Sequence, residues 1–386
     1  MIKIAENDIF PERFIHKILG KPHQPTCVFI GGIHGNEPSG IVAIQHVFDT
    51  IEQEGIEVKG SIIGLRGNLQ AIALGKRFLT HDLNRVWTQK KLDELSKDSK
   101  VAEAKEMAEI KQYLDSTIAN ATASLYFVDL HTTSSHSPPF VILDDTIRNR
   151  TLANAMPIPK VLGFLEQLQG TILGYYGDKG PVTLVIEAGQ HVEHSSEQRH
   201  IAAIWVVLVE TGIISKKQAP FKESVELLKQ ASQPFPEVVE TIKRYGLAIN
   251  DAFEMQPGFE NFCTVQEGQL LAHHNNIPVL ADSKSMLFMP LYQKQGEDGF
   301  FVVSPIPKFW IVLSKLFRKL KTYKYLHYLP GIKKNPKNQF SFIVNQKIAG
   351  YKTMEVLHLL GFRKEIERGH ITYISRRPYD FKGPWD

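Results

Sequence analysis

Four short stretches of the chain end on side chains able to do chemistry. In GGIHGNEPSG, His34 and Glu37 stand three residues apart, straight after the apolar run TCVFI. HDLNR brings Asp82, Asn84 and Arg85, VDLHTTSS brings Asp129 and His131, and LVIEAGQH brings Glu187. Each has a plain structural alternative when taken alone. A His-x-x-Glu pair arises by chance, and a lone histidine is commonly a hydrogen-bonded structural residue. A lone glutamate after a strand can cap the next helix or pair with an arginine. Together they say more. Two imidazoles and one carboxylate form the His₂Glu donor set of a catalytic zinc site, which leaves a fourth position for water. Zinc lowers the pKa of that water and can polarise a carbonyl oxygen. A further carboxylate off the metal can take the water's proton and return it to a leaving amine, and Glu187 suits that task. Arginines hold substrate carboxylates in bidentate geometry.

Side chains as far apart in sequence as His34 and His131 meet only if the fold carries them to one edge. Residues 26–32 read as a short buried strand. EPSGIVAIQHVFDTIEQ reads as a helix, with Ile41, Ile44, Val47, Phe48 and Ile51 at helical spacing. VKGSIIGLRGN, SLYFVDLHTT, PFVILD and VTLVIEAGQ read as strands. KVAEAKEMAEIKQYLDSTIANA reads as an amphipathic helix, and SSEQRHIAAIWVVLVETGII as a long helix opened by a serine cap. This alternation predicts an α/β fold over residues 1–215, with a mixed, largely parallel sheet and helices on both faces. Such sheets gather ligands outside the carboxyl ends of their strands, where the polar residues fall. After one more helix, KESVELLKQ, the chain breaks into short strand-like runs punctuated by Gly, Pro, Asn and Asp, which predicts a small β domain over residues 216–305. His273 and His274 lie side by side on one such run. Adjacent strand residues face opposite ways, so they read as surface residues rather than a second metal site.

The chain resembles the succinylglutamate desuccinylase/aspartoacylase family, relatives of the zinc carboxypeptidases. GGIHGNEPSG, RFLTHDLNR, DLHTTSS and VIEAGQ carry the resemblance, in that order, over about residues 28 to 190. The resemblance implies that His34, Glu37 and His131 are ligands of one Zn²⁺ per chain and that Glu187 is the general base and acid. It implies that Arg77 polarises the scissile carbonyl and stabilises the oxyanion, and that Asn84 and Arg85 contact a substrate carboxylate. Asp129, two residues before His131 on a strand, is read as orienting that ligand. The implied reaction is hydrolysis of the amide of an N-acyl amino acid, of the succinyl- or acetyl-amino acid class, to a carboxylic acid and a free amino acid. In the aspartoacylase branch an arginine about ten residues before the catalytic glutamate helps to bind the substrate. Here Gly177 holds that spacing, and Lys179 is the nearby candidate to substitute for it, which argues against N-acetylaspartate. His136 is read as a polar loop residue. The nearest alternative is a zinc carboxypeptidase acting on peptides, which the extra β domain disfavours by narrowing access. A non-catalytic binding or scaffold protein, working through the C-terminal residues, would have no need of Glu187.

Composition sets the remaining bounds. Over 386 residues the net charge is only +4, yet residues 306–386 hold 17 Lys and Arg against 5 Asp and Glu, while the rest of the chain is net acidic. This basic C-terminal extension is expected to fold as α+β, with helices over residues 308–324 and 352–369 and a strand at HITYISRR. Trp310, Leu313, Leu316, Phe317 and Leu320 share a face of the first helix, and Lys315, Arg318, Lys319, Lys321 and Lys324 largely take the rest. The favoured reading packs that apolar stripe on the β domain. Contact with a membrane surface is the less favoured one. No nucleic-acid partner is expected, because no stacking motif accompanies the basic residues. The two cysteines, Cys27 and Cys263, form no disulfide framework. No secretory signal stands at the start, and no apolar run reaches the roughly 18 residues of a membrane span. A cytoplasmic location is therefore expected. The oligomeric state is left open, a homo-oligomer included.

Overall fold

The computed structural model describes residues 12–386 apart from residues 99, 192 and 249. Its centre is an eleven-stranded sheet. In chain order the strands are β1 (Phe14–Ile18), β2 (Thr26–Gly31), β3 (Ser61–Arg66), β4 (Leu125–Thr133), β5 (Phe140–Ile142), β6 (Lys160–Leu162), β7 (Val182–Gln190), β8 (Val238–Gly246), β9 (Phe253–Met255), β10 (Thr264–Val265), β11 (Leu270–His274), β12 (Ile277–Leu280), β13 (Ser285–Phe288), β14 (Asp298–Pro305), β15 (Ile332–Lys334), β16 (Ser341–Asn345), β17 (Phe362–Arg368) and β18 (Ile371–Arg376). The large sheet runs β1-β3-β2-β4-β7-β5-β6-β8-β14-β13-β10. It is parallel through β3-β2-β4-β7 and again through β5-β6-β8, and antiparallel at the β7–β5 junction and at both edges. The mixed α/β sheet read from the sequence is thus present.

Strands β2, β4 and β7 are buried on both faces, which is why they read as unbroken apolar runs. One face packs on the helices Ser39–Gln53 and His194–Glu210 through Phe29, Val47, Phe48, Trp205 and Val207. The other packs on Ala102–Ala119 through Val28, Phe127, Met107, Ile110 and Leu114. The sheet does not stop at the expected boundary near residue 215. Strand β8 pairs with β6, and β14, β13 and β10 extend the same sheet beyond it. The remaining strands of that segment, β12-β11-β9, form a small three-stranded sheet.

The extension folds around its own four-stranded sheet, β15-β16-β18-β17, over a core that includes Phe342, Val344, Leu357, Phe362 and Ile374. Three of its details differ from the sequence reading. The second helix spans Gln346–Leu359 and ends at Gly361, whose φ of +86° suits a helix terminus, and the residues beyond it form β17 rather than more helix. The first helix spans Lys308–Lys319. Lys321, with φ of +55°, then starts a 3₁₀ segment, Thr322–Tyr328. That first helix buries its apolar stripe only in part, Leu313 and Phe317 being half-buried and Phe317 packed on the core of the extension. Trp310, Leu316 and Leu320 are exposed, whereas Ser314 and Arg318 are buried.

Arg318 is buried because of Asp145, just beyond β5. Arg318 Nη2 lies 2.8 Å from Asp145 Oδ2, Arg363 Nε 2.7 Å from the same oxygen, and Arg150 Nε 2.6 Å from Oδ1. Next to it, Asp144 Oδ1 takes Arg377 Nη2 at 2.6 Å. Buried charges cost several kcal/mol each in lost hydration, so these groups are stable only as a set. Asp145→Ala would leave three guanidinium groups around an empty position. It is expected to lower unfolding stability by about 3–5 kcal/mol, read from urea denaturation of the full chain.

Candidate metal and catalytic site

The sheet brings His34, Glu37, His131 and Glu187 to one edge. His34 and Glu37 lie on the loop that leaves β2. That loop packs tightly: Gly32 holds φ of +73°, and a Cβ on Gly35 would fall 2.1 Å from the Ala71 carbonyl carbon. His131 and Glu187 are register partners across the parallel β4–β7 pair, so their side chains project from the same face.

Both imidazoles are held the same way. His34 Nε2 is 3.1 Å from Asp82 Oδ1, and His131 Nε2 is 2.8 Å from Asp129 Oδ2. Each ring turns its Nδ1 to Glu37, His34 at 2.9 Å from Oε1 and His131 at 3.0 Å from Oε2. The Thr132 amide donates to Glu37 Oε2 at 3.0 Å. All three candidate ligands are buried, and their donor atoms lie within 4.8 Å of one another. The sequence reading of Asp129 as the residue that orients His131 matches this placement. The same task for Asp82 was missed, although HDLNR had been singled out.

This donor set fits a divalent cation such as zinc. An imidazole whose Nε2–H is engaged by a carboxylate carries its lone pair on Nδ1, the arrangement of a metal-ligating histidine. Two such nitrogens facing one carboxylate, away from water, need a positive charge between them. Without metal, a proton on His131 contributes to it. Burial opposes charge on His131, but Asp129 and Glu37 outweigh it and hold the imidazole pKa well above its ordinary value. Burial likewise opposes ionisation of Glu37, and His34 and His131 outweigh it, holding the carboxyl well below the usual range. A metal ion would take the place of that proton.

Arg77 stands beside the set, its Nη2 3.0 Å from Asp82 Oδ2 and its Nη1 3.5 Å from Glu37 Oε1. Its loop is fixed by Glu103, a fully buried carboxylate on the helix Ala102–Ala119. Glu103 accepts the amides of Leu79 at 2.7 Å, Thr80 at 3.1 Å and His81 at 3.2 Å. Sequence reasoning did not single out Glu103 within this amphipathic helix. Its signal was position, since it falls in one stripe with Met107, Ile110 and Leu114.

Glu187 is buried, and its Oε2 has no hydrogen-bond partner among the described residues. Burial lifts its carboxyl to about 8, His131 opposes the rise, and the negative charges of Glu37 and Asp129 add to it. The same cavity is lined by His34, Glu37, His131, Arg77, Asn84 and Arg85. The Asn84 side-chain oxygen accepts the Ile172 amide at 2.9 Å. Arg85 Nη2 is 2.8 Å from Asp298 Oδ2 on β14, an anchor from the later part of the chain that the sequence reading did not foresee. Ile142, Phe164, Leu165, Leu168, Val185 and Phe301 form an apolar wall. Lys179 does not reach this cavity. Its Nζ pairs with Asp115 at 3.0 Å and lies over the Tyr175 ring, so it does not take the place of the missing arginine. His136 is an exposed loop residue paired with Glu193. His273 and His274 have separate partners, Gln256 and Tyr245.

Residues 23–206 match the family description "Succinylglutamate desuccinylase/Aspartoacylase catalytic domain". This part of the chain is similar to that family's catalytic domain. A succinylglutamate desuccinylase of Photorhabdus laumondii is 27% identical over 154 residues, 36% of this chain and 47% of the relative. An aspartoacylase of Xenopus tropicalis is 32% identical over 131 residues, 32% of this chain and 39% of the relative. The match therefore spans less than half the length of each. A solved succinylglutamate desuccinylase/aspartoacylase from Rhodobacter sphaeroides shares the fold with a TM-score of 0.56 at 19% identity, covering 76% of this chain and 88% of that one.

Two expectations follow. Asp129→Asn weakens the hold on the His131 tautomer and is expected to lower zinc affinity about 10–100-fold in a chelator-competition titration. The second concerns Glu187 in metal-free protein. Its folded pKa lies above the unfolded value, so between the two the folded chain keeps a proton that the unfolded chain has released. Its contribution therefore falls as pH rises across that window. Glu187→Gln removes this loss. With chelator present the variant is expected to gain stability over the parent at pH 8 but not at pH 4, read from denaturant unfolding.

Proposed function

We propose that the protein is a zinc-dependent amidohydrolase that cleaves an N-acyl amino acid to a carboxylic acid and a free amino acid. The observation that carries this reading is the placement of the buried Glu187 carboxyl, its Oε2 without a partner among the described residues, in one cavity with the His34–Glu37–His131 set. The names of the relatives, a desuccinylase and an aspartoacylase, support the same reaction class.

Zinc in a His₂Glu site supplies a Lewis acid that activates water and polarises a carbonyl. The chain's residues do the rest. Glu187 takes a proton as water attacks the acyl carbon and delivers it to the amide nitrogen as the C–N bond breaks, so that carboxylate and amine leave. A buried carboxyl whose Oε2 has no hydrogen-bond partner among the described residues is free to make both halves of that transfer. Arg77, anchored by Asp82 and fixed through Glu103, directs positive charge at the developing oxyanion. Asn84 and Arg85 bind the substrate carboxylate, with Arg85 aimed by Asp298.

The segment around residues 289–298 favours a small substrate over a peptide. It contributes Met289, Leu291 and Gln293 to the cavity wall. It is pinned across the site by Ser134 Oγ to the Pro290 carbonyl at 3.3 Å and by Asn36 Nδ2 to Gln293 Oε1 at 3.2 Å. The acyl and amino-acid preference is to be read from amine release with a panel of N-acetyl and N-succinyl amino acids. Glu187→Gln is expected to retain bound zinc and to lose about 10²–10⁴-fold in kcat on the best substrate. A variant as active as the parent would remove Glu187 from the mechanism.

A further inference from the structure

The helix Lys308–Lys319 turns Ser314 and Arg318 inward, with Ile311 and Phe317 partly buried beside them. Ser314 and Arg318 are buried, Arg318 fully, against Asp145 and the Leu359 carbonyl. On the opposite side Phe309, Val312, Leu316 and Leu320 are 49–69% exposed. Their spacing, i, i+3, i+7 and i+11, places them on one stripe along the helix. The following 3₁₀ segment adds Tyr325 and Tyr328, also exposed. A run of large apolar side chains on one outer surface calls for a partner. The ion cluster at Asp145 forbids the helix to roll and hide them.

The charges around this stripe are of one sign. From Gly299 to Met354 the sequence holds no Asp or Glu, and within that stretch Lys315, Lys319, Lys321 and Lys324 flank the exposed residues. Those four make no ion pair among the described residues, while Lys308 pairs with Glu237. The helix has 12 residues, and no helix of the described residues is long and apolar enough to cross a membrane.

We propose that this face docks the protein on the surface of an anionic lipid bilayer, with the apolar stripe in the headgroup–acyl boundary and the lysines on lipid phosphates and carboxylates. An amphipathic helix of this make-up lies in the interface plane. Tyrosine and tryptophan, here Tyr325, Tyr328 and the half-exposed Trp310, are at home at that depth. Lysines near such a surface add electrostatic attraction. A second copy of the chain fits less well, because a two-fold contact would set lysines against lysines. Nucleic acid fits less well, because its binding faces are polar and basic rather than centred on leucine and valine. The inference is independent of the reaction, since none of these residues lines the catalytic cavity.

The test is vesicle flotation of the full chain with phosphatidylcholine alone and with phosphatidylcholine mixed with phosphatidylserine. The parent is expected to float with the mixed vesicles, to stay behind with phosphatidylcholine alone, and to lose binding as salt is raised. The exposed substitutions Leu316→Glu with Leu320→Glu, and separately Lys315→Glu with Lys319→Glu, are each expected to lower binding about tenfold or more. Circular dichroism and unfolding midpoints should stay those of the parent. Failure of the parent to float with mixed vesicles would overturn the proposal, as would variants that float like it. A parent that sediments as a dimer, is split by Leu316→Glu with Leu320→Glu and ignores vesicles would assign the face to a second copy. Retention on a duplex DNA or RNA probe without flotation would assign it to nucleic acid.

Discussion

The site depends on one constraint: the Glu37 carboxylate is buried with both oxygens committed. One faces His34 Nδ1 and the other faces His131 Nδ1 and the Thr132 amide. A carboxylate removed from water must be repaid by positive charge and hydrogen bonds, or it will take up a proton instead. The surrounding structure meets that demand in layers. The imidazoles answer Glu37, Asp82 and Asp129 answer the imidazoles, and Arg77 answers Asp82. Each layer fixes the rotamer of the one inside it. Glu187 stands outside this chain of compensation with a lone oxygen, which leaves it a carboxyl whose proton is free to move.

The order of the charges also explains the choice of elements. A parallel sheet sets β2, β4 and β7 side by side with their carboxyl ends together. His131 and Glu187 then come into register without any loop adjustment. His34 and Glu37 need a loop instead, because their side chains must reach across to His131 from β2. The glycines of GGIHGNEPSG let that loop pack against the backbone at Ala71.

The groups that needed only local pattern to be found were legible in the sequence. Strands β4 and β7 and the helix Ser39–Gln53 announced themselves by apolar periodicity, and the ligands followed at the strand ends. What escaped was set by distant contacts. Glu103 reads as one more charge on an Ala-, Glu- and Lys-rich helix until the amides of residues 79–81 are seen to converge on it. Asp298 gains meaning only from Arg85, far earlier in the chain. Strand β17 was hidden because Leu357, Leu359 and Leu360 continue a helical pattern, and only the left-handed Gly361 ends it. The first helix of the extension was misjudged for the same kind of reason. Composition sends Arg318 to solvent and Leu316 inward, and a single buried carboxylate, Asp145, reverses both.

That carboxylate ties the extension to the chemistry. Asp144 and Asp145 lie just beyond β5, whose Ile142 lines the catalytic cavity. The short helix Phe164–Gln167, which supplies Phe164 and Leu165 to the same wall, lies against β17 of the extension. Arg363 on β17 bridges Asp145 and Glu240 of β8. One layer of structure therefore carries the apolar wall of the cavity on its inner side and the anchors of the extension on its outer side. Without the extension, Asp144 would lose Arg377 and Asp145 would lose Arg318 and Arg363, the charges that face them from outside this layer. The extension is thus tied to the layer that forms the cavity wall. The ions that bind it inward are the same ones that turn its apolar face outward.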